Sequence, residues 1–573
     1  MNRQFFHDDI RLFLERRVDW ERYLRLQRSG PANVPEELDT YRSILESLGQ
    51  ICEDIEADSR DHWHDEVRLE DGEVIVPDHI ASGYQKLRDA GLVCIMIAPE
   101  YGGYGLPTLL NVAYLEMLSR ADTSLMTTLG LQAGAANDIQ KYGSEELKKQ
   151  YLPRFTSGEV QGCMDLTEPG AGSDLGGITT RVSEEGGRFF IDGGKIYITN
   201  GGAEIHLVLA RDGDTYDQSK GTTSGLNLML CPRTLPDGTK NTVSVSRVET
   251  KMGLHGSPTC AVEFDHAEAF LLGERGNGFR AMLDLMNAAR IGVSAQGIGI
   301  AEAAYRQARA HARDRVQFGA PIIEQPLVKS MLTMMALEIQ AARALLYHTA
   351  ALIDHTEAIG TYLASDRDEP DFDRTALQAE LERNQQLVRF FTPLCKYYAT
   401  EVANQVTRSA IQVHGGIGYM SESIVGHHHS DSIITTIYEG TSEIQASFAL
   451  REMAKGALFT ALEQLRSDLD SLPAEFAESV GQLRGGIDTL SDSLPSLMED
   501  VNYALLNAKR VSDMVISVVV GGELLFQAAE EPPRFELAAA YINRTMLELE
   551  MHAKRIQSGD ASRLERYDKI LSV

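Results

Sequence analysis

The spacing of hydrophobic positions changes along the chain and divides it. In DDIRLFLERRVDWERYLRL and again in HIASGYQKLRDAGL, apolar residues recur every three to four positions, which predicts amphipathic helices. Ser144-Glu145-Glu146 predicts a helix start with acidic residues in its first turn. From about 161 to 275 the period drops to two. Runs such as RFFIDG, KIYITN, HLVLAR, LNLMLC and AVEFD alternate and are split by Gly, Asn and Asp, which predicts antiparallel sheet. From about 276 to 455 helical spacing returns, rich in Ala and Leu. Within it, the stretch from about Thr356 to Arg383, with DRDEPDFD at its centre, predicts a solvated insertion between two helices. Beyond 456 the pattern stays helical and becomes more acidic, with breaks expected at Gly485-Gly486, Gly521-Gly522 and Pro532-Pro533. FTALEQLRSDLDSL is amphipathic at helical spacing, as packing on a neighbour requires.

These zones predict a mainly α chain with a central antiparallel β domain. The boundaries read as a helical extension at 1–45, a helical domain at 46–160, a β domain at 161–275, a helical bundle at 276–455 and a C-terminal helical domain at 456–573. No repeat of solenoid length recurs.

Composition narrows the function classes. A chain of 573 residues with net charge −29 lacks the clustered Lys and Arg that nucleic acid requires, and it matches an anionic membrane surface poorly. The summed charge says nothing against a small anionic ligand held by a local field. The six cysteines (Cys52, Cys94, Cys163, Cys231, Cys260 and Cys395) form no CxxC pair, which predicts reduced thiols and a cytoplasmic protein. The first residues lack the apolar stretch of a signal peptide. The longest apolar run, near Met514 to Val520, is too short to span a bilayer, so no stable membrane insertion is expected.

Five segments carry candidate chemistry. In Ile437-Tyr438-Glu439-Gly440-Thr441-Ser442-Glu443-Ile444-Gln445, a carboxylate stands on a turn before a helix. Gly440 gives the turn its freedom, and Ser442 with Gln445 reads as a capping box. A Glu fixed this way suits a general base, although by itself such a turn is a common helix entrance. Met164 to Asp174 (MDLTEPGAGSD) is a Gly/Pro loop that brings backbone N–H groups and the hydroxyls of Thr167 and Ser173 to a ligand, or is an ordinary connection. Lys195 to Gly202 reads as a strand ending in a turn, with Tyr197 and Thr199 on one face; this suits a flat cofactor or a plain cross-strand pair. Gln412 to Tyr419 reads as a helix ending in a glycine cluster. Arg313 to Gly319 reads as a basic last turn. Three adjacent histidines, His427 to His429, diverge and cannot all face one metal ion.

Taken together, TEPGAGSD, YITNGG, KMGLHGSPT, RVQFG, QVHGGIGY and IYEGTSEIQ occur in an order that resembles the acyl-CoA dehydrogenases, FAD enzymes of acyl-CoA metabolism, over roughly residues 75 to 455. The extra ends resemble the long subclass of that family. The resemblance implies that Glu439 is the base for the α-proton and that its backbone N–H, with a ribityl hydroxyl of FAD, binds the thioester oxygen. Some relatives carry the base at a position matching Ala289, where this chain has no carboxylate. The resemblance places Met164, Leu166 and Thr167 along the flavin edge, Thr199 near flavin N5, and Tyr197 where relatives more often have Trp. It places Ser173 on CoA and cofactor, and Arg290, Tyr438 and Gly440 beside the thioester. Arg315, Phe318, Gln412, Gly415 and Gly416 would reach the FAD of a neighbouring subunit, and Thr441 and Glu443 the FAD pyrophosphate. The partners implied are an acyl-CoA, an electron-transferring flavoprotein and a second copy in a homodimer. An acyl-CoA oxidase, a decarboxylating dicarboxylyl-CoA dehydrogenase and a non-catalytic flavoprotein binding module are the alternatives.

Overall fold

The computed structural model describes residues 4–28, 33–498 and 500–573. It forms two compact units. The first is built on Arg42–Ala303 and takes in Gly416–Thr435; the second is built on Ala304–Gly415 and Thr436–Val573 and takes in His7–Tyr41.

In the first unit, the helices Thr108–Ala121, Thr123–Tyr142 and Glu145–Thr156 precede the sheet. Asp122 and Ser144 cap the second and third by accepting the N–H groups of Leu125 and Leu147. A hairpin of β1 (Arg68–Glu70) and β2 (Glu73–Ile75) was not legible as strand, because each arm has only three residues. The main sheet comprises β3 (Gly162–Asp165), β4 (Arg181–Glu185), β5 (Arg188–Thr199), β6 (Ile205–Asp212), β7 (Leu226–Pro232), β8 (Val243–Val248) and β9 (Thr259–Leu272). Its order is β3-β6-β4-β5-β9-β7, with β7 also pairing β6, so the sheet closes on itself.

The expected all-antiparallel pairing needs correction. β3 and β4 both run parallel to β6, β3 against Ile205–Val208 and β4 against Arg211 and Asp212. They lie end to end along one edge of β6. The Gly/Pro loop between them is therefore an excursion from a single strand position, and the chain resumes its direction afterwards.

β3 also divides two cores. Met164 and Leu166 pack with Ala135, Phe155 and Leu207, whereas Cys163 packs with Val208, Met229 and Val262.

In the second unit, the helices Pro326–Ala364 and Arg374–His414 pack together, and only residues 365–373 of the expected insertion leave helical structure. Asp373 caps the second helix by accepting from Thr375 and Ala376. The run DDIRLFLERRVDWERYLRL, read at helical spacing, forms two helices, Asp8–Arg16 and Trp20–Gln27. Arg22 and Arg25 of the latter fasten Glu380, Glu369 and Asp371 around the 365–373 loop.

Two expected helix breaks are absent. Gly485-Gly486 lies inside the helix Ala477–Ser493, and Gly521-Gly522 inside Ala508–Glu530. A Cβ at Gly486 would stand 2.5 Å from Met546 Sδ, at Gly521 2.7 Å from Leu483 Cδ2, and at Gly522 2.5 Å from Leu465 Cδ1. These glycines permit close helix contact, which repays their poor helix propensity of about 1 kcal/mol. Pro532-Pro533 does separate two helices. Ala508–Glu530 is long and apolar enough to cross a membrane, but 89% of its apolar window is buried within the protein, as a core helix requires.

Candidate active site

The loop after β3 is built around a buried ion pair. Lys195, fully buried on β5, donates to Glu168 Oε1 at 2.9 Å and to the carbonyls of Leu166 and Leu209 at 2.9 and 2.8 Å. Glu168 also accepts from the N–H and hydroxyl of Thr179 and from the N–H of Thr180. Burial opposes its charge, yet Lys195 and these donors draw Glu168 down to about 2. Ile196 N donates to Thr167 O, tying the loop to β5. Arg211, also fully buried, donates to the carbonyls of Gly176, Ile178, Ser219, Thr222 and Ser224. With its backbone anchored, the tip is left open: Gly170, Gly172 and Ser173 are exposed, and a Cβ on Gly170 would meet nothing within 4 Å.

Met164 and Leu166 sit at the surface of the core, each 8% exposed, and Thr167 is half-buried. β5 carries a bulge between Lys195 and Ile198, at which Tyr197 takes a positive φ of 59°. The bulge breaks the simple alternation assumed for this strand. Tyr197, 62% exposed, and half-buried Thr199 flank the buried Ile198. The unit thus presents an exposed aromatic, a hydroxyl and bare loop backbone. A flat heterocycle with an anionic tail fits this set.

The KMGLHGSPT segment is a strained turn. Leu254 has φ 51°, and its N–H donates to Asp431 Oδ1 at 2.6 Å. Lys251 Nζ closes the turn on Ser257 O. Arg290 is 5% exposed and donates to Asn287 Oδ1 three residues before it.

In the second unit, Glu439 and Gly440 take consecutive positive φ values of 55° and 93°. Left-handed backbone costs a non-glycine residue about 1–2 kcal/mol, so the strain at Glu439 is imposed by its surroundings. Tyr438, Glu439 and Gly440 are half-buried. The capping assignment needs correction: Thr441, not Ser442, is the N-cap of the helix Ser442–Ala454, accepting from Ile444 N. Gln445 does not reach back to an N–H; its Nε2 donates to the carbonyls of Glu439 at 2.8 Å and Gly440 at 3.3 Å. Glu443 is exposed and pairs with Lys509, 3.3 Å away on Ala508–Glu530. Sequence reasoning had no signal for this partner, which lies 66 residues on.

Of the remaining predicted residues, Arg315, Phe318, Gln412 and Gly415 gather at another place in this unit. Residues Val316–Gln317 (β10) pair with Ala320–Pro321 (β11) across Phe318 and Gly319, both at positive φ. His311 and His414 stack at 4.3 Å, which brings Arg315 and this hairpin beside Gln412 and Gly415. Phe318 is 94% exposed. Gly416, Ile417 and Tyr419, which belong to the first unit, are exposed.

Two of the three adjacent histidines pack on one indole. His427 stacks on Trp63, and His428 meets the same indole edge-on. Burial, then the neighbouring His427, holds His428 down to about 3. It stays neutral in the native state while the unfolded chain protonates near 6.5, so stability falls as pH drops from about 6.5 towards 3. The loss from this group approaches about 1.4 kcal/mol per pH unit. His428→Gln is expected to flatten that slope in urea denaturation between pH 7 and 5; an unchanged slope would remove His428 as its source. Among the described residues, the donors close enough to share an ion are instead Cys163, Asp165 and His206, all fully buried and hydrogen-bonded to one another behind Met164.

The chain matches three successive family models: the N-terminal domain of acyl-CoA dehydrogenase at residues 42–159, the middle domain at 163–267, and the C-terminal domain at 276–365 and 374–454. It is 34% identical over 460 residues to the 3-methylmercaptopropionyl-CoA dehydrogenase of Ruegeria pomeroyi, covering 77% of this chain and 74% of that one. A chain solved in a study of the electron transferring flavoprotein of Acidaminococcus fermentans is 28% identical, with a TM-score of 0.60 over 72% of this chain and 97% of its own. The fold of an acyl-CoA dehydrogenase from Bacillus anthracis, solved with FAD, matches with a TM-score of 0.74 at 22% identity, over 95% of this chain and 91% of that one. With all three domain models in order and a relative this similar, the chain belongs to the acyl-CoA dehydrogenase family.

Proposed function

We propose that this protein oxidises an acyl-CoA thioester between Cα and Cβ to the 2-enoyl-CoA, with Glu439 as the base. The observation that carries this reading is the strained left-handed turn holding a half-buried carboxylate. Glu439 takes the α-proton, and its backbone N–H polarises the thioester oxygen. FAD bound at the β domain supplies the hydride acceptor for the β-hydrogen. Met164, Leu166, Thr167, Tyr197 and Thr199 hold and orient it, while the open loop at Gly170 to Ser173 meets its anionic part or that of CoA. Arg290 steadies the thioester region.

The exposed Phe318, Ile417 and Tyr419 support a homodimer in which Arg315, Phe318, Gln412, Gly415 and Gly416 reach the partner's FAD. The Lys509 pairing supports a different role for Glu443 from direct contact with pyrophosphate. Six buried free thiols support a cytoplasmic location. An electron-transferring flavoprotein is the proposed acceptor, supported by the relative solved in a study of such a protein.

The test is an acyl-CoA panel mixed anaerobically with the purified yellow protein. Bleaching by at least one thioester is expected, together with little peroxide in air. No bleaching across the panel would sink the reading, and stoichiometric peroxide would make the protein an oxidase.

A further inference from the structure

The base turn is held from below by two fully buried side chains on different helices. Lys396, on Arg374–His414, donates from Nζ to Gly440 O at 2.7 Å. Gln445, on Ser442–Ala454, donates to the carbonyls of both Glu439 and Gly440. A further bond, Ser442 N to Thr436 O at 3.1 Å, closes the loop at its ends. Two successive left-handed residues turn their carbonyls inward, and inward carbonyls need donors. Gly440 permits the geometry, and a Cβ there would meet Gln445 Nε2 at 2.6 Å. Nothing intrinsic to Glu439 favours its φ of 55°.

An ammonium buried this deeply is costly unless its donors are engaged. A neutral residue would fill the same volume more cheaply. The nearby surface cation, Lys509, is already shared between Glu443 and Glu401 at 3.3 and 3.6 Å. Lys396 places its ammonium on the turn itself, at the carbonyl of the residue after Glu439.

We infer that Lys396 and Gln445 are positioning residues that fix the direction of the Glu439 carboxylate, and that the Lys396 charge also favours its ionised form. This rests on Glu439 being the base. A displaced base loses rate without losing substrate, since an error of about 1 Å costs up to about 10²-fold.

The experiment uses FAD-loaded full-length protein and follows anaerobic flavin reduction by a bleaching acyl-CoA from pH 6 to 9. Lys396→Met is expected to slow reduction by on the order of 10–10²-fold. Its half-saturating acyl-CoA concentration and bound flavin should stay near wild type. The acidic limb of its profile should move to higher pH, because a positive charge has left the carboxylate's neighbourhood. Lys396→Arg should restore most of the rate. Gln445→Met, which removes a donor but no charge, should slow reduction and leave the limb in place. It also serves if Lys396→Met fails to fold. A rate within twofold of wild type in either folded variant overturns the inference, as does a loss that tracks lost flavin and is not restored by Arg. Should Glu439→Gln bleach normally, the base assignment itself falls; Glu439→Gln inert beside normal Lys396→Met and Gln445→Met sinks this inference alone.

Discussion

Glu439→Gln is expected to retain FAD and bind acyl-CoA, yet fail to bleach the flavin anaerobically. The amide matches the carboxylate in shape and keeps the left-handed turn, whose backbone carbonyls accept from Lys396 and Gln445. Only the proposed proton acceptor is removed. General-base removal costs about 10²–10⁴-fold, and the upper part of that range is expected, because Ala289, where the resemblance would put an alternative base, and its neighbour Arg290 cannot accept a proton. Stopped-flow absorbance of the flavin band measures the effect. Bleaching at the wild-type rate would show that another group takes the proton.

The second large effect is expected from Lys195→Met. This change leaves Glu168, already buried, with its Thr179 and Thr180 donors but without its counter-charge. It also strips a donor from Leu166 O, within the segment expected to line the flavin. Breaking one side of a buried pair costs about 3–5 kcal/mol. Urea denaturation should show a loss of that order, and the variant should purify with less flavin. The Lys195→Met, Glu168→Gln double variant should recover part of the stability, because no buried charge is then left alone. If the double variant is as unstable as Lys195→Met, or if Lys195→Met is as stable as wild type, the pair does not organise the loop. The effect on flavin separates this from a general core defect, because the bonds of Lys195 go to the loop and to β6.

Much of the site was readable because its signals are local. The turn at Gly440 needs left-handed backbone, and glycine at that place announces it. The Gly/Pro loop, the helix ending at His414 and the acidic start after Ser144 are each specified by neighbours within a few residues. The residues that hold the site were not readable. Lys195 in KIYITN looks like any strand lysine, and Lys396 sits in a helix whose spacing gives no hint that its ammonium reaches a carbonyl 44 residues later.

The order of helix and strand, the glycine-dependent turns and the family to which the chain belongs follow from the sequence alone. Periodicity, caps and positive-φ positions act over short range, so each segment states its own preference. Tertiary structure decided what depends on distant partners. Gly521-Gly522 reads as a break until Leu483 and Leu465 arrive to fill the space. β3 and β4 become parallel to β6 only because both take one edge of it, at opposite ends of a looped-out segment. Glu439 takes a left-handed φ in a turn whose carbonyls accept from buried donors on two helices. In each case the deciding energy belongs to a contact between segments, and neither segment encodes such a contact by itself.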